Sequence, residues 1–286
     1  MKATKEVKTQ KKRMKPARFW KKYSRLIFGG AIVAVVVFLA VFADVICKYD
    51  PMEINLADAK QTASATHILG TDYYGRDIFS RICHGAATTL MVALGAQLVS
   101  TVVGAVLGLL CGYYSKVEKY LMRLLDAFST IPNLLLCLMM VSIFGSGVIN
   151  LILAMAVGGI PGTARMVRNL VLSLREKEYI ESEKAMGAGD IRTIFVHILP
   201  GCYSYLLVRF SGGIAGSMLS MVSLSYLGLG LSAMIPSWGG MINEAQQFFL
   251  TYPHMVFTPA IAVCIAIFGF SLLGDAIRDL LDPKLR

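Results

Sequence analysis

Six apolar runs constrain this chain more than any other feature, because each is near the length that a helix needs to cross a lipid bilayer. About 20 helical residues span the roughly 30 Å hydrocarbon core. With 56% hydrophobic and only 16% charged residues, the chain has too little polar surface to cover a water-soluble core. The sequence therefore predicts an all-α polytopic membrane protein with six transmembrane helices, at Leu26–Ile46, Leu90–Leu110, Leu124–Phe144, Val148–Val167, Tyr205–Leu231 and Met255–Leu273.

Basic residues are distributed unequally between the connections. Of the 28 Lys and Arg, 23 lie in the two tails and in the second and fourth connections. Cytoplasmic loops carry such an excess, so both termini are predicted to be cytoplasmic, which an even number of spans satisfies. The predicted organisation is a basic cytoplasmic tail at 1–25, a first transmembrane helix at 26–47, an extracytoplasmic segment at 48–83 and a core transmembrane domain at 84–286.

The net charge of +10 is concentrated in the N-terminal tail. In a membrane protein the nearest anionic partner of such a tail is the lipid headgroup, so we expect membrane lipid and no nucleic acid as its partner. The first apolar run is too long for the core of a signal peptide, which favours an uncleaved anchor.

No pattern in the sequence indicates catalysis or a resident cofactor. The chain has no phosphate-binding loop and no H-E-x-x-H motif, and its four histidines are scattered, so no metal site is predicted. Cys47 and Cys83 flank the extracytoplasmic segment and could pair, while the other cysteines are expected to be apolar fillers. A transporter or channel subunit remains, and any work against a gradient must be powered by another polypeptide or by an ion gradient.

Residues 171–200 are unusual because they are amphipathic in an otherwise apolar chain. We predict one helix from Val171 to Met186, a left-handed cap at Gly187, and a second helix at Ile191–Leu199 that Asp190 caps and Pro200 closes. This helix, sharp turn and helix would lie on the cytoplasmic side. It could dock into another protein or lie on the lipid headgroups.

Polar residues near the spans suggest further sites. Ser217, Ser220, Ser223 and Ser225 of the fifth span are candidates for lining a pathway, although Ser can also bond to its own helix. Asp44, Asp126 and Arg209 lie near span ends, where snorkelling or local pairing is expected. In the outer segment, Asp72, Arg76 and Asp77 lie in a polar turn cluster, which could be a locally salt-bridged loop or a contact surface.

Glycines recur at a spacing that favours close helix packing. Gly104, Gly108 and Gly112 are four residues apart, as are Gly212 and Gly216, and we expect both sets to pack helices. Gly158, Gly159, Pro161 and Gly162 are expected to interrupt the fourth span, which is therefore predicted to be the weakest.

The stretch EYIESEKAMGAGDIRTIFVHILPG resembles the EAA loop of ATP-binding-cassette importer permeases, E-A-A-x-x-x-G followed by an apolar-x-L-P ending. Glu181, Gly187, Leu199 and Pro200 fall on that pattern. Ser182 and Glu183 replace two alanines, and His197 stands where many members have Ile. In the family this loop is a coupling helix that fits a groove on the ATPase. The resemblance therefore implies ATPase contact by Tyr179, Glu181, Ser182, Ala185, Met186, Gly187 and Ala188.

Further stretches resemble the dipeptide, oligopeptide and nickel permeases, in their second-permease form. They are HILGTDYYGRDIFSR, RLLDAFSTIP, ARMVRNLVLSLREKEYIE, SYLGLGL with PSWGGMI, and GDAIRDLLDP, and they cover nearly all of residues 65–286. The resemblance implies a type I importer permease fold in a bacterial or archaeal cytoplasmic membrane. The implied partners are a second homologous permease, two ATPase subunits that bind ATP and Mg²⁺, and an extracytoplasmic substrate-binding protein. On this resemblance, Asp72, Arg76 and Asp77 are candidates for contact with the binding protein.

The resemblance leaves the solute open between short peptides and nickel or a metal chelate. A bare cation favours carboxylates or imidazoles along its route, and the predicted spans carry almost none at mid-depth. We therefore expect short peptides, with nickel or a chelate as the alternative. An ion-driven secondary carrier and a membrane scaffold that transports nothing are the other classes considered, and the carrier would need coupling-ion carboxylates deep in the spans.

Overall fold

The computed structural model describes residues 16–281, and in that range the chain forms helices and turns without a β-strand. Residues 1–15, Lys284 and Arg286, which supply much of the predicted tail charge, lie outside the described residues. A π-helical turn at Thr193–Ile198 joins two of the helices. The helices are α1 Pro16–Val41, α2 Ala43–Ile46, α3 Ile78–Tyr113, α4 Ser115–Thr130, α5 Asn133–Phe144, α6 Val148–Arg175, α7 Glu178–Ala185, α8 Asp190–Arg192, α9 Leu199–Tyr226, α10 Trp238–Ala245 and α11 His254–Leu281.

Five helical stretches of the described chain are long and apolar enough to cross a membrane, and α4 with α5 can supply a sixth span. This agrees with the predicted helical membrane fold and with up to six spans. The five stretches are Tyr23–Val41, Ile78–Tyr113, Val148–Arg175, Asp190–Tyr226 and His254–Leu281.

The predicted third span, Leu124–Phe144, is not one straight helix. Its chain bends by 92° between α4 and α5. Ile131 precedes Pro132 and is extended, with φ −84° and ψ 126°, because the proline ring disfavours helical geometry in the residue before it. The 12 residues of α5 are about 18 Å long, too short to cross the membrane without part of α4.

The predicted interruption of the fourth span was wrong, because α6 runs unbroken through Pro161. Its glycines instead let neighbouring helices approach. A Cβ on Gly158 would overlap the side-chain amide of Asn133, and one on Gly159 would overlap the Ser100 hydroxyl.

Helices α3 and α6 meet along a seam of small residues. A Cβ on Gly104 would lie 2.6 Å from the Thr163 Cβ, and one on Gly112 would lie 2.5 Å from the Val171 Cβ. Gly108 is equally tight against α6. The predicted role of these three glycines in helix packing is confirmed.

The two ends of the helical bundle differ in construction. At one end, which we call the cap, residues 48–77 and α10 cover the start of α3. The buried Trp238 donates a hydrogen bond of 2.9 Å from its indole Nε1 to the Ile82 carbonyl there. The opposite end carries α7 and the ends of α3, α6 and α11, and we call it the hairpin end.

Candidate functional site

The hairpin, which consists of α7 and a second arm at residues 190–198, is attached to the bundle by buried apolar side chains, and α7 supplies Ile180. Ile180 is fully buried in an apolar cluster with Val167, Val171, Ile194 and Ile198. The chain breaks at Glu176 and Lys177, between α6 and α7, so the predicted continuous helix from Val171 to Met186 is in fact two helices. The break separates α7 from α6, and Ile180 holds α7 against the bundle.

The sequence-predicted ATPase contacts lie on the free surface of this hairpin. Met186 is 81% exposed at its tip, and an unpaired apolar side chain of this size is common at protein interfaces. Ala188 is half-buried. The other exposed members of the set are Tyr179, Glu181, Ser182, Ala185 and Gly187.

Gly187 has the left-handed conformation that the sequence predicted, with φ +86°. The next amide, of Ala188, donates to the Glu183 carbonyl at 3.2 Å, which closes the end of α7 in the manner of a Schellman cap. A Cβ at Gly187 would meet no atom within 4 Å. The requirement for glycine here is therefore a requirement of the backbone and not of packing.

Glu183 and His197, two of the departures from the EAA pattern, form a pair. Glu183 is only 8% exposed, and its Oε1 lies 2.7 Å from His197 Nε2, without the alignment of a standard hydrogen bond. Arg192 Nε is 3.8 Å from the same oxygen. The Glu183 carboxylate thus points into the hairpin, between its two arms, and away from the exposed face.

The second arm of the hairpin differs from the prediction at both ends. Gly189 occupies the N-cap position, and Asp190 is the first helical residue. The Asp190 carboxylate accepts hydrogen bonds from the hydroxyls of Tyr113, at 2.7 Å, and Tyr114, at 3.2 Å. Desolvation and this carboxylate raise the pKa of Tyr114, so its hydroxyl stays a donor. Pro200 does not end the helix, because it lies in the first turn of α9, where a missing N–H is tolerated.

At the cap, Asp72 and Arg76 belong to a buried network of four charges. Arg76 donates to Asp72 Oδ2 at 2.6 Å and to Glu244 Oε2 at 2.5 Å, and Arg81 Nη1 lies 2.6 Å and 3.0 Å from the same two oxygens. Glu244 is on α10, so the network ties the outer segment to a helix far along the chain. Sequence reasoning missed Glu244, because no local pattern connects it to residues 72–81.

Asp77 is buried in the same region and caps α3. Its Oδ2 accepts from the Ser80 amide at 2.8 Å, and its Oδ1 is 2.9 Å from His67 Nδ1. Asp72, Arg76 and Asp77 are each less than 10% exposed. Contact of these residues with a binding protein stays a prediction, and their burial favours a role in shaping that surface from below.

The four serines proposed for the pathway do not share one face of α9. Ser217 donates to Gln97 Oε1 at 3.3 Å, Ser220 is half-buried, and Ser223 bonds back to the Leu219 carbonyl. Ser225 is buried near the end of α9, against Gly230 and Gly239. Their lining role stays a prediction.

Gln97 is a polar centre within the bundle that sequence reasoning missed. Its amide nitrogen donates to Thr101 Oγ1 at 3.3 Å and to the Arg209 carbonyl at 3.1 Å. It fits against Gly213, where a Cβ would overlap it. A single Gln in an apolar run is a weak signal, and only the folded helix α3 places it against the polar part of α9.

Arg209 lines a cavity of about 740 Å³ at the hairpin end, between α6, α9 and α11. Asp275 and Arg278 of α11 also line it. The predicted local pairing holds for Asp126, whose Oδ1 is 2.6 Å from Arg165, and for Asp44, which is 3.0 Å from His84. In the described chain, Arg209 makes no ion pair.

The family comparison matches residues 104–286 to the family described as "Binding-protein-dependent transport system inner membrane component". The chain is 39% identical over 273 residues to a glutathione transport system permease of Pectobacterium atrosepticum, covering 94% of this chain and 91% of the relative. It is 36% identical to a dipeptide transport system permease of Alkalihalophilus pseudofirmus, covering 93% of this chain and 88% of that one.

The helical arrangement has a counterpart among solved structures. An inward-facing form of the MetNI methionine ABC transporter superposes with a TM-score of 0.59 at 19% identity, covering 71% of this chain and 96% of that one. A second inward-facing form gives a TM-score of 0.58. These likenesses establish the type I importer permease fold.

The match to the family model extends over the seam between α3 and α6, the hairpin and the Arg209 cavity, and the relatives match nearly the whole chain. Members of this family are transport permeases and not enzymes. The chain therefore belongs to the binding-protein-dependent transport system inner membrane components, as a multi-pass permease subunit of an ABC importer.

Proposed function

We propose that this chain and a second homologous permease form the translocation pathway for short peptides that a substrate-binding protein delivers. The observation that carries the proposal is the exposed hairpin of α7, which ends in Met186 and the left-handed Gly187. Its tip has no partner within the described chain, although its base is fixed by Ile180 and by the Glu183–His197 pair. A surface that is rigid at its base and apolar at its tip suits docking to another subunit.

The proposed power source lies outside this chain. Two ATPase subunits bind ATP and Mg²⁺, and their closure moves the hairpin, which in turn moves α6 and α9 to open the pathway on alternate sides of the membrane. This chain needs no cofactor of its own. Both termini and the hairpin face the cytoplasm of a bacterium or archaeon, and the cap faces the binding protein.

Peptide is the solute that the relatives favour, since they are described as glutathione and dipeptide transport permeases. Nickel or a metal chelate is the alternative. To decide between them, the complete transporter is reconstituted and ATP hydrolysis is measured with the binding protein loaded with a mixed pool of di- to oligopeptides or with nickel. We expect stimulation by peptides, and stimulation by nickel alone would overturn the peptide assignment.

Docking of the hairpin is tested by crosslinking. A cysteine at Ala185, which is exposed on α7, should crosslink to an ATPase subunit. A matched cysteine at Ala65, which is exposed on the cap, should not. If Ala185→Cys forms no crosslink to an ATPase subunit with linkers of several lengths, but crosslinks to lipid, the hairpin lies on the membrane instead.

A further inference from the structure

The Arg209 cavity combines charge with open space beside a membrane-spanning helix. Ionisable residues in such helices are costly and usually face a water-filled cavity or a partner charge. Arg209 is exposed in this chain, and its one side-chain hydrogen bond in the described range, from Nε to Thr163 Oγ1, is a long 3.4 Å. Its terminal nitrogens are therefore available to a ligand.

Small residues keep the space in front of Arg209 open. A Cβ on Gly212 would meet nothing within 4 Å, and Gly201 and Gly213 line the same cavity. On the opposite wall, α11 approaches α9 so closely that a Cβ on Gly274 would lie 3.0 Å from the Gly212 Cα. The cavity volume of about 740 Å³ falls in the range that holds ligands of a few hundred daltons.

The charges around the cavity are of both signs. Arg209 stands on α9, and Asp275 and Arg278 stand one turn apart on α11. Asp275 and Arg278 are exposed, and neither makes an ion pair with any described residue. Two guanidinium groups and one carboxylate form a set that can receive a zwitterion, because guanidinium binds carboxylate in two-pronged fashion and a carboxylate attracts ammonium.

We infer that this cavity is a transit site for the two charged ends of a peptide, in which Arg209 receives the C-terminal carboxylate and Asp275 the N-terminal ammonium. Arg278 offers a place for a second carboxylate, so peptides with an acidic side chain are accommodated. The inference rests on the proposed peptide transport and adds the residues that contact the peptide. Among the described residues the Arg209 side chain makes no ion pair and has only the long hydrogen bond to Thr163, so it can release the peptide as the cavity opens.

Uptake into proteoliposomes that contain the complete transporter tests this site. The probes are trialanine, its C-terminal amide and its N-acetyl form, each delivered by the same binding protein. Uptake by each variant is divided by uptake of the same probe by the unmodified transporter, so the selectivity of the binding protein cancels. Lys116→Gln is the matched control, because it removes an exposed positive charge outside the cavity.

Arg209→Gln should lower uptake of trialanine about tenfold, the size of one charge-assisted hydrogen bond, and should change uptake of the amide less than twofold. Arg209→Lys should restore part of the loss, and Lys116→Gln should leave all probes unchanged. An equal fall for both probes would overturn the inference, because it would mean that Arg209 pairs with an acid of the second permease or supports the fold. Unchanged uptake of both probes by Arg209→Gln would overturn the inference as well.

Asp275→Asn provides an independent arm if Arg209→Gln lowers the amount of assembled transporter. This variant should lose uptake of trialanine but not of N-acetyl-trialanine, whose amino end carries no charge. Equal loss for both would contradict the assignment of Asp275. If the unmodified transporter takes up none of the probes, the proposed peptide transport fails, and that result is distinct from failure of the cavity site.

Discussion

Glu183 Oε1 lies 2.7 Å from His197 Nε2, which joins the two arms of the hairpin through the two positions that depart most in chemistry from the EAA pattern. Groups in direct contact have coupled energetic effects. We expect Glu183→Ala and His197→Ile each to lower transport, and the double variant to transport better than the product of the two single effects predicts. The coupling energy should be on the order of 1 kcal/mol.

The measurement is a double-mutant cycle on uptake and on the thermal unfolding midpoint of the purified transporter. Arg192→Gln is the control, because Arg192 is 73% exposed and 3.8 Å from the carboxylate. Strictly additive effects would show that the two residues act separately.

A second prediction concerns the backbone of Gly187. Because φ is +86° and the space is open, Gly187→Val should strain the turn by about 1–2 kcal/mol and lose coupling, while Gly187→Asn should keep most transport. Gly189→Ala serves as a control, since φ at Gly189 is −73° and its Cβ would meet no atom. The assay is uptake at matched membrane levels, and normal uptake by Gly187→Val would contradict the coupling role.

A third prediction follows from the buried charges of the cap. Glu244→Ala removes one of two acids that balance Arg76 and Arg81, and breaking a buried pair in this way costs on the order of 3 kcal/mol. The thermal unfolding midpoint should fall clearly. The control is Asp44→Ala, because the Asp44 side chain is 92% exposed, and this variant should leave the midpoint nearly unchanged.

The orientation of the chain gives a fourth prediction. In a background without native cysteines, Ala65→Cys should react with a membrane-impermeant thiol reagent in intact cells, and Ala188→Cys should react only after the membrane is opened. The reverse labelling would invert the proposed topology.

Cys47 and Cys83 provide the fifth prediction. The structure has them as free thiols that are neighbours in space, at the cap. A mild oxidant should join them, which non-reducing mass spectrometry would detect as a crosslinked peptide pair. Cys47→Ser should abolish the product, and absence of the crosslink in the native chain would place the two thiols too far apart.

Features of this structure that depend on neighbouring residues can be predicted from the sequence, and features that depend on contacts between distant parts of the chain cannot. Gly187 was predictable because its left-handed cap depends on its immediate neighbours. The bend at Ile131–Pro132 also depends on neighbouring residues, but the apolar run that continues across it led to the prediction of one straight span. The helical course of α6 through Pro161 was not predicted, because a proline among three glycines favours a break when the run is taken without its neighbours.

The candidate functional residues show the same difference between local and distant determinants. The exposed face of α7 matched a motif, and the Glu183–His197 pair was hidden because each residue, taken alone, was only a departure from that motif. Glu244 and Gln97 acquire their roles from contacts with residues more than 100 positions away. No local periodicity reports such contacts.

The glycine seam between α3 and α6 has a mechanical consequence. A Cβ on any of the three seam glycines would overlap α6, so the two helices are in close backbone contact, and we expect them to turn together. The hairpin is joined directly to the end of α6, and the 36 residues of α3 extend about 54 Å to the cap. A rotation of the pair by one degree about the hairpin end would displace the cap by about 1 Å, so we expect a small movement of the hairpin to produce a larger one at the opposite end of the bundle.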